Sequence, residues 1–131
     1  MSAFVDASVL VAIMAGEPDE RHWLDQLQST ADAITSPVAI WETVRATARI
    51  LDAPIAMVAD RLSILLDGLG IDVVHIGDIE AGAALVAHDR YGKGSHPAKL
   101  NLGDCFAYAC AKTNNAILLY KGNDFSKTDL A

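Results

Sequence analysis

The chain has 131 residues, 52% of them apolar and 21% charged, with 9 Gly and 4 Pro. This composition excludes a disordered or collagen-like polymer, because the apolar surface is ample to offset the entropy of ordering the backbone, and one domain over residues 1–131 is expected. A net charge of −7 argues at first against a polyanionic partner, but residues 1–89 carry 4 Lys+Arg against 14 Asp+Glu, whereas residues 90–131 carry 6 against 3, so an acidic total conceals a basic C-terminal third.

Residues 2–6 form a short β-prone run ending in Asp6, and residues 8–16 have helical length with Gly16 as the stop. Pro18 at a first helical position, followed by acids that suit a helix N-terminus, opens a second helix with Trp23, Leu24 and Leu27 on its apolar stripe. Residues 31–36 read as a second strand. Ser36 then supplies an N-cap hydroxyl and Pro37 an N1 proline for a helix through Leu51 whose buried stripe is Trp41, Val44, Ala48 and Leu51. Glu42 lies off that stripe, in line with Val38, Arg45 and Arg49. A helix after Pro54 keeps Ile55, Val58, Leu62, Leu65 and Leu69 on one face and ends at Gly68 and Gly70. Residues 71–76 are a third strand, and Asp78 caps a helix of small residues. Residues 90–103 have the composition of a mobile surface loop. A helix over 103–115 leads to a last strand, 116–122, continuous and apolar as a strand covered on both faces is.

Strands alternating with helices predict an α/β domain with a parallel-type sheet of four to five short strands flanked by helices on both faces. In such sheets sites form beyond the carboxyl ends of strands, so Asp6 and Asp124 are expected to be neighbours despite their separation in sequence. No run reaches the roughly 18 apolar residues of a membrane span. Cys105 and Cys110 form neither a CxxC pair nor a disulfide framework, and a reducing cytoplasm is the expected compartment.

Four acids fall where one pocket collects them: Asp6 after the first strand, Glu42 in a helix, Asp104 in the first turn of another, and Asp124 after the last strand, with Asp129 as a further candidate. Carboxylates so gathered raise one another's pKa and persist usefully only by sharing protons or binding cations. An oxygen-only set selects a hard ion, Mg²⁺ or Mn²⁺, and such ions promote phosphodiester hydrolysis. Three of the acids have a plainer alternative: Asp6 as a helix cap, Asp104 as a first-turn acid, Glu42 as an ion-pair partner of Arg45. Arg90, Lys93 and Lys99 lie in the loop leading to Asp104, where they are candidate nucleic-acid contacts, with Tyr91 available to stack on a base.

FVDAS at 4–8, Glu42 after the Ser-Pro helix start, LNLGDCFAYACAK at 100–112 and KGNDFSKTDL at 121–130 resemble the PIN-domain ribonucleases, and among them the VapC toxins of bacterial toxin–antitoxin pairs. The resemblance spans the chain. It implies an endoribonuclease using Mg²⁺ or Mn²⁺, often a homodimer, held inactive by a small antitoxin that inserts a segment into its groove. By position, Asp6, Glu42, Asp104 and Asp124 match the acidic quartet and Ser8 a hydroxyl beside the metal water. Asn101, Asn123 and Asp129 are auxiliary candidates; where relatives often carry two adjacent acids, this chain has Asn123 then Asp124. Two other classes fit the fold in outline, a phosphoacceptor signalling domain using Lys121 and a non-catalytic RNA-binding domain. The former lacks its usual adjacent acids after the first strand, and the latter has no reason to keep four mutually repelling carboxylates.

Overall fold

The computed structural model describes residues 2–131. Its strands are β1 (Ser2–Val5), β2 (Asp32–Thr35), β3 (Ile71–Val73) and β4 (Ile117–Leu119), and its helices are α1 (Ala7–Met14), α2 (Glu20–Gln28), α3 (Pro37–Leu51), α4 (Ile55–Leu69), α5 (Asp78–Tyr91) and α6 (Leu102–Thr113). The four strands pair in parallel in the order β3-β2-β1-β4. β1 is therefore central, and the register sets Val5 against Leu119, so the chain leaves β1 and β4 side by side.

Successive strand residues face opposite sides of a sheet. Phe4 enters one apolar cluster with Tyr91, Leu100, Tyr108 and Phe125 under α5 and α6. Val5 enters the other with Leu10, Val44, Val58 and Leu62 under α1, α3 and α4. Both faces are covered, as a parallel sheet requires. No helix among the described residues is long and apolar enough to cross a membrane, and Cys105 and Cys110 are free and buried.

Local signals explain the element starts. Ser36 accepts from the Ala39 N–H ahead of Pro37, and Asp6 caps α1 by accepting from the Ser8 N–H. Several expectations need correction. α2 begins at Glu20, two residues after Pro18, with Asp19 at the cap position. α5 is preceded by Gly77, whose N–H donates to Glu80, so Asp78 is the first helical residue and not the cap. β4 is an edge strand with Ile117 45% exposed, because only β1 pairs with it. The buried face of α4 turns through Val58, Leu62 and Leu66, leaving Ile55 outside. Of the expected α3 stripe Val44 and Ala48 are buried, but Trp41 and Leu51 lie on the surface, 64% and 45% exposed, since the buried face turns toward Ala39, Thr43 and Thr47. The loop after α5 is pinned at its base by a bridge between Gly92 and Leu100, with Lys93 N–H donating to the Leu100 carbonyl. Tyr91 ends α5 buried and is not presented to a base.

Candidate active site

Asp6, Glu42, Asp104 and Asp124 line one pocket of about 200 Å³ beyond the carboxyl ends of β1 and β4, together with Ser8, Arg45 and Asn101. Each arrives from a different part of the chain. Asp6 follows β1, where its N–H donates to the Leu119 carbonyl of β4. Asp124 lies in the segment after β4, held by Phe125, which is buried against Tyr120. Glu42 projects from the second turn of α3, and Asp104 from the first turn of α6.

The hydrogen bonds fix two of these carboxylates firmly. Asp6 Oδ2 accepts from both the Ser8 hydroxyl at 2.6 Å and the Ser8 N–H at 3.0 Å. The Ser8 Oγ in turn accepts from the Lys121 N–H at 2.9 Å, which couples α1 to the end of β4. Asp104 and Asn101 form a reciprocal cap: Asn101 Oδ1 accepts from the Asp104 N–H at 2.9 Å, and Asp104 Oδ2 accepts from the Asn101 N–H at 3.1 Å. The cap and the cluster are thus the same carboxylate, with one oxygen engaged by the helix N-terminus.

Electrostatics show that the acids act on one another. Burial pushes the Asp6 carboxyl up against the pull of its Ser8 bonds, and the charge of Asp124 adds to the rise. Burial and then the Asp6 charge lift Glu42 to about 7, with Arg45 opposing. Asp104 is raised to about 7, chiefly by burial, against its Asn101 bond and with Asp124, Asp6 and Glu42 reinforcing the shift. Among the described residues Arg45 is the one cation that lines the pocket. Lys121 does not enter it; its ammonium is held by Asp19 at 2.9 Å and Glu17 at 3.3 Å.

Gly103 escaped the sequence reading. A Cβ built there would overlap the Glu42 carboxylate, so the missing side chain lets Glu42 lie against the first turn of α6 beside Asp104. The signal was present as a glycine inside a helix's first turn, where propensity alone disfavours it. Of the auxiliary candidates, Ser8 and Asn101 reach the pocket, while Asn123 and Asp129 are not among its lining residues. Asp129 instead accepts from the Tyr108 hydroxyl at 2.5 Å, the Tyr91 hydroxyl at 3.3 Å and the Lys112 ammonium at 2.6 Å, fastening the C-terminal segment to α5 and α6. Burial alone would raise its pKa, but Lys112 and Tyr108 bring it down to about 2. Arg90, Lys93 and Lys99 are exposed; Arg90 stacks over the Tyr91 ring at 4.9 Å, and Lys93 borders an apolar groove between α5 and α6.

Residues 3–130 match the PIN domain family, and a VapC ribonuclease of Rhizobium meliloti is 42% identical over 141 residues, covering 98% of this chain and 99% of its own. The chain belongs to the PIN-domain family, among the VapC proteins. Ribonuclease VapC30 of Mycobacterium tuberculosis is 36% identical over 128 residues, covering 97% of this chain and 95% of its own. The VapC fold also recurs in solved structures. Mycobacterium tuberculosis VapC20, described as a Sarcin-Ricin loop cleaving toxin, superposes with a TM-score of 0.72 over 95% of this chain and 92% of its own, at 22% identity. A chain of a toxin–antitoxin complex from Klebsiella pneumoniae gives 0.73 over 98% and 93%, at 16% identity.

Among the described residues no three His, Cys, Asp or Glu side chains stand at ligating geometry for one ion. The donor set of the pocket nevertheless fits a hard divalent cation. Its carboxylates offer only oxygen. Burial and then the neighbouring acids lift two of them to about 7, so a cation would relieve the cost of ionising them, and Mg²⁺ typically retains several waters and takes only one or two protein carboxylates directly.

Proposed function

We propose that this chain is a metal-dependent endoribonuclease that hydrolyses RNA phosphodiester bonds, the toxin of a type II toxin–antitoxin module acting in the cytoplasm and silenced by a cognate antitoxin. The single observation that carries this reading is the convergence of Asp6, Glu42, Asp104 and Asp124 on one pocket, in a chain 42% identical to a protein named as a ribonuclease.

Asp6, Glu42, Asp104 and Asp124 are the residues that would hold Mg²⁺ or Mn²⁺, directly or through water; such an ion supplies charge neutralisation at phosphorus and a more acidic water. The chain's own groups do the remaining work. Ser8 and Asn101 hold Asp6 and Asp104 in place through one oxygen of each carboxylate. Glu42 brings its Oε atoms into the same pocket from α3, where they would orient the attacking water. Arg90, Lys93 and Lys99 attract the phosphates of the substrate. The apolar groove of about 640 Å³ between α5 and α6, with Leu85 and Leu102 both 70% exposed, supports a homodimer through that face. The phosphoacceptor alternative loses its lysine, because Lys121 is committed to Asp19 and Glu17.

Purified protein is expected to cut single-stranded or looped RNA with Mg²⁺ or Mn²⁺ and to stop in excess EDTA, leaving 5′-phosphate and 3′-hydroxyl ends, since water and not the ribose 2′-hydroxyl attacks. Cleavage that persists in EDTA, or cyclic 2′,3′-phosphate ends, would overturn the mechanism.

A further inference from the structure

Trp41 has no place in the site just described, yet it sits at its edge. Its indole is 64% exposed on α3, an unusual position for so large an apolar side chain. With Pro37, Ile40, Val44, Arg45 and Ile55 it walls a groove of about 390 Å³ at the start of α3 and α4, ample for a nucleoside. Arg45 belongs to both cavities: it lines this groove and also the acidic pocket, where its charge acts on Glu42. Its guanidinium carbon stands 5.1 Å from the Trp41 ring centroid. Among the described residues Arg45 makes no ion pair, so its charge is available to an anion.

The spacing on α3 explains this shared wall. Glu42 and Arg45 are three residues apart and Trp41 and Arg45 four apart, so both pairs are neighbours along the helix surface while Trp41 and Glu42 diverge to either side. A chain of phosphates crossing the acidic pocket therefore meets Arg45 next, and a base attached there meets an aromatic face. Resting on the nuclease reading above, we propose that Trp41 and Arg45 form a nucleotide subsite for single-stranded RNA: the guanidinium holds a phosphate flanking the scissile one, and the indole stacks the adjoining base. A peptide would also bury Trp41, but it would leave the charge of Arg45 unanswered unless it carried an acid, whereas a nucleotide brings the flat apolar face and the anion together. The stacking is tolerant of base identity, so the subsite selects an unpaired nucleotide and not a letter.

The test is equilibrium binding of a labelled single-stranded RNA in EDTA, which reads affinity without cleavage, for the parent, W41A, W41F and R45A, with an oligonucleotide series carrying one abasic residue at each position in turn. W41A is expected to weaken binding about tenfold and W41F to recover most of it. R45A is expected to lower the salt slope by about one phosphate contact. In the parent, one abasic position is expected to cost about tenfold, and in W41A that same position is expected to cost nothing further. If W41A does not fold, W41L, which keeps apolar bulk but has no aromatic face, takes its place with the same expected loss. Equal RNA affinity in the parent and W41A, or an abasic cost that is the same in both, overturns the subsite. So does a W41A variant whose RNA binding is intact but whose self-association in sedimentation is lost, which would give the groove to a protein partner. A parent that shows the Trp41-dependent binding but cuts no RNA with Mg²⁺ or Mn²⁺ supports the subsite and overturns the nuclease reading alone.

Discussion

Glu42 illustrates how a functional carboxylate depends on a residue that carries no chemistry. Its carboxylate occupies the space a side chain at Gly103 would take. Gly103 has no positive φ, so alanine fits the backbone there and improves on glycine by about 0.5–1 kcal/mol in helix propensity. The obstruction falls on the flexible end of Glu42, which can swing aside. Gly103→Ala is therefore expected to leave the melting temperature unchanged or slightly raised while cutting RNA cleavage at least about tenfold. Thermal melts and single-turnover rates check both halves, and full activity in this variant would detach Glu42 from the position assigned to it. The four acids themselves were legible in the sequence because each stands at an element boundary or in a helix with a recognisable start. Gly103 was not, because its meaning lies in a partner 61 positions earlier that only the packing of α3 on α6 brings near.

At the scale of elements, the starts of α1, α3 and α6 carry strong local signals, and Asp6, Ser36 and Asn101 cap them. Helix faces were harder. The α3 stripe keeps Val44 and Ala48 but loses Trp41 and Leu51, because small and β-branched residues, Ala39, Thr43 and Thr47, let α3 pack closely on its neighbours, and side-chain size alone does not reveal that preference. The C-terminal segment was equally opaque: Asp129 resembled one more site acid, whereas its carboxylate binds three donors from α5 and α6. Asp129→Ala leaves the buried Tyr108 hydroxyl without its acceptor and is expected to cost about 1–3 kcal/mol. The same loss is expected with and without Mg²⁺ in chemical denaturation, since a fastening residue is indifferent to the ion. A Mg²⁺-induced stabilisation smaller than the parent's would instead return Asp129 to the metal site.

For the whole molecule, the parallel sheet and its two covered faces followed from the alternation of strands and helices, but the edge position of β4 did not, because strand order is a property of crossovers and not of composition. That order sets Asp6 beside Asp124 and gathers buried carboxylates in one pocket, which has a consequence for stability. Glu42 and Asp104 titrate near 7 in the folded chain against ordinary values of 4.5 and 3.8, so the folded state binds protons more tightly than the unfolded. Their favourable contribution is complete below about pH 4 and is lost as pH rises through about 7. Asp129, depressed to about 2, acts in the opposite sense only below about pH 4. Metal-free protein is thus expected to lose stability from about pH 5 to about pH 8, and Mg²⁺, which competes with those protons, is expected to restore more stability at the higher pH than at the lower. Denaturation midpoints at both pH values, with and without Mg²⁺, measure this. A metal-free protein that gains stability across that interval would contradict the crowding of charge in the pocket.

Asp104 is at once part of a helix cap and a member of the acidic cluster. Asparagine caps a helix as well as aspartate does, so Asp104→Asn preserves the fold while removing one of the clustered charges. The decisive measurement is the single-turnover rate of RNA cleavage in saturating Mg²⁺ or Mn²⁺ for this variant against the parent, with the metal-free melting temperature of each as the control. The expected result is a rate lower by about two orders of magnitude or more in a protein that is no less stable without metal. Cleavage at the parent's rate would reduce Asp104 to a cap and take it out of the quartet.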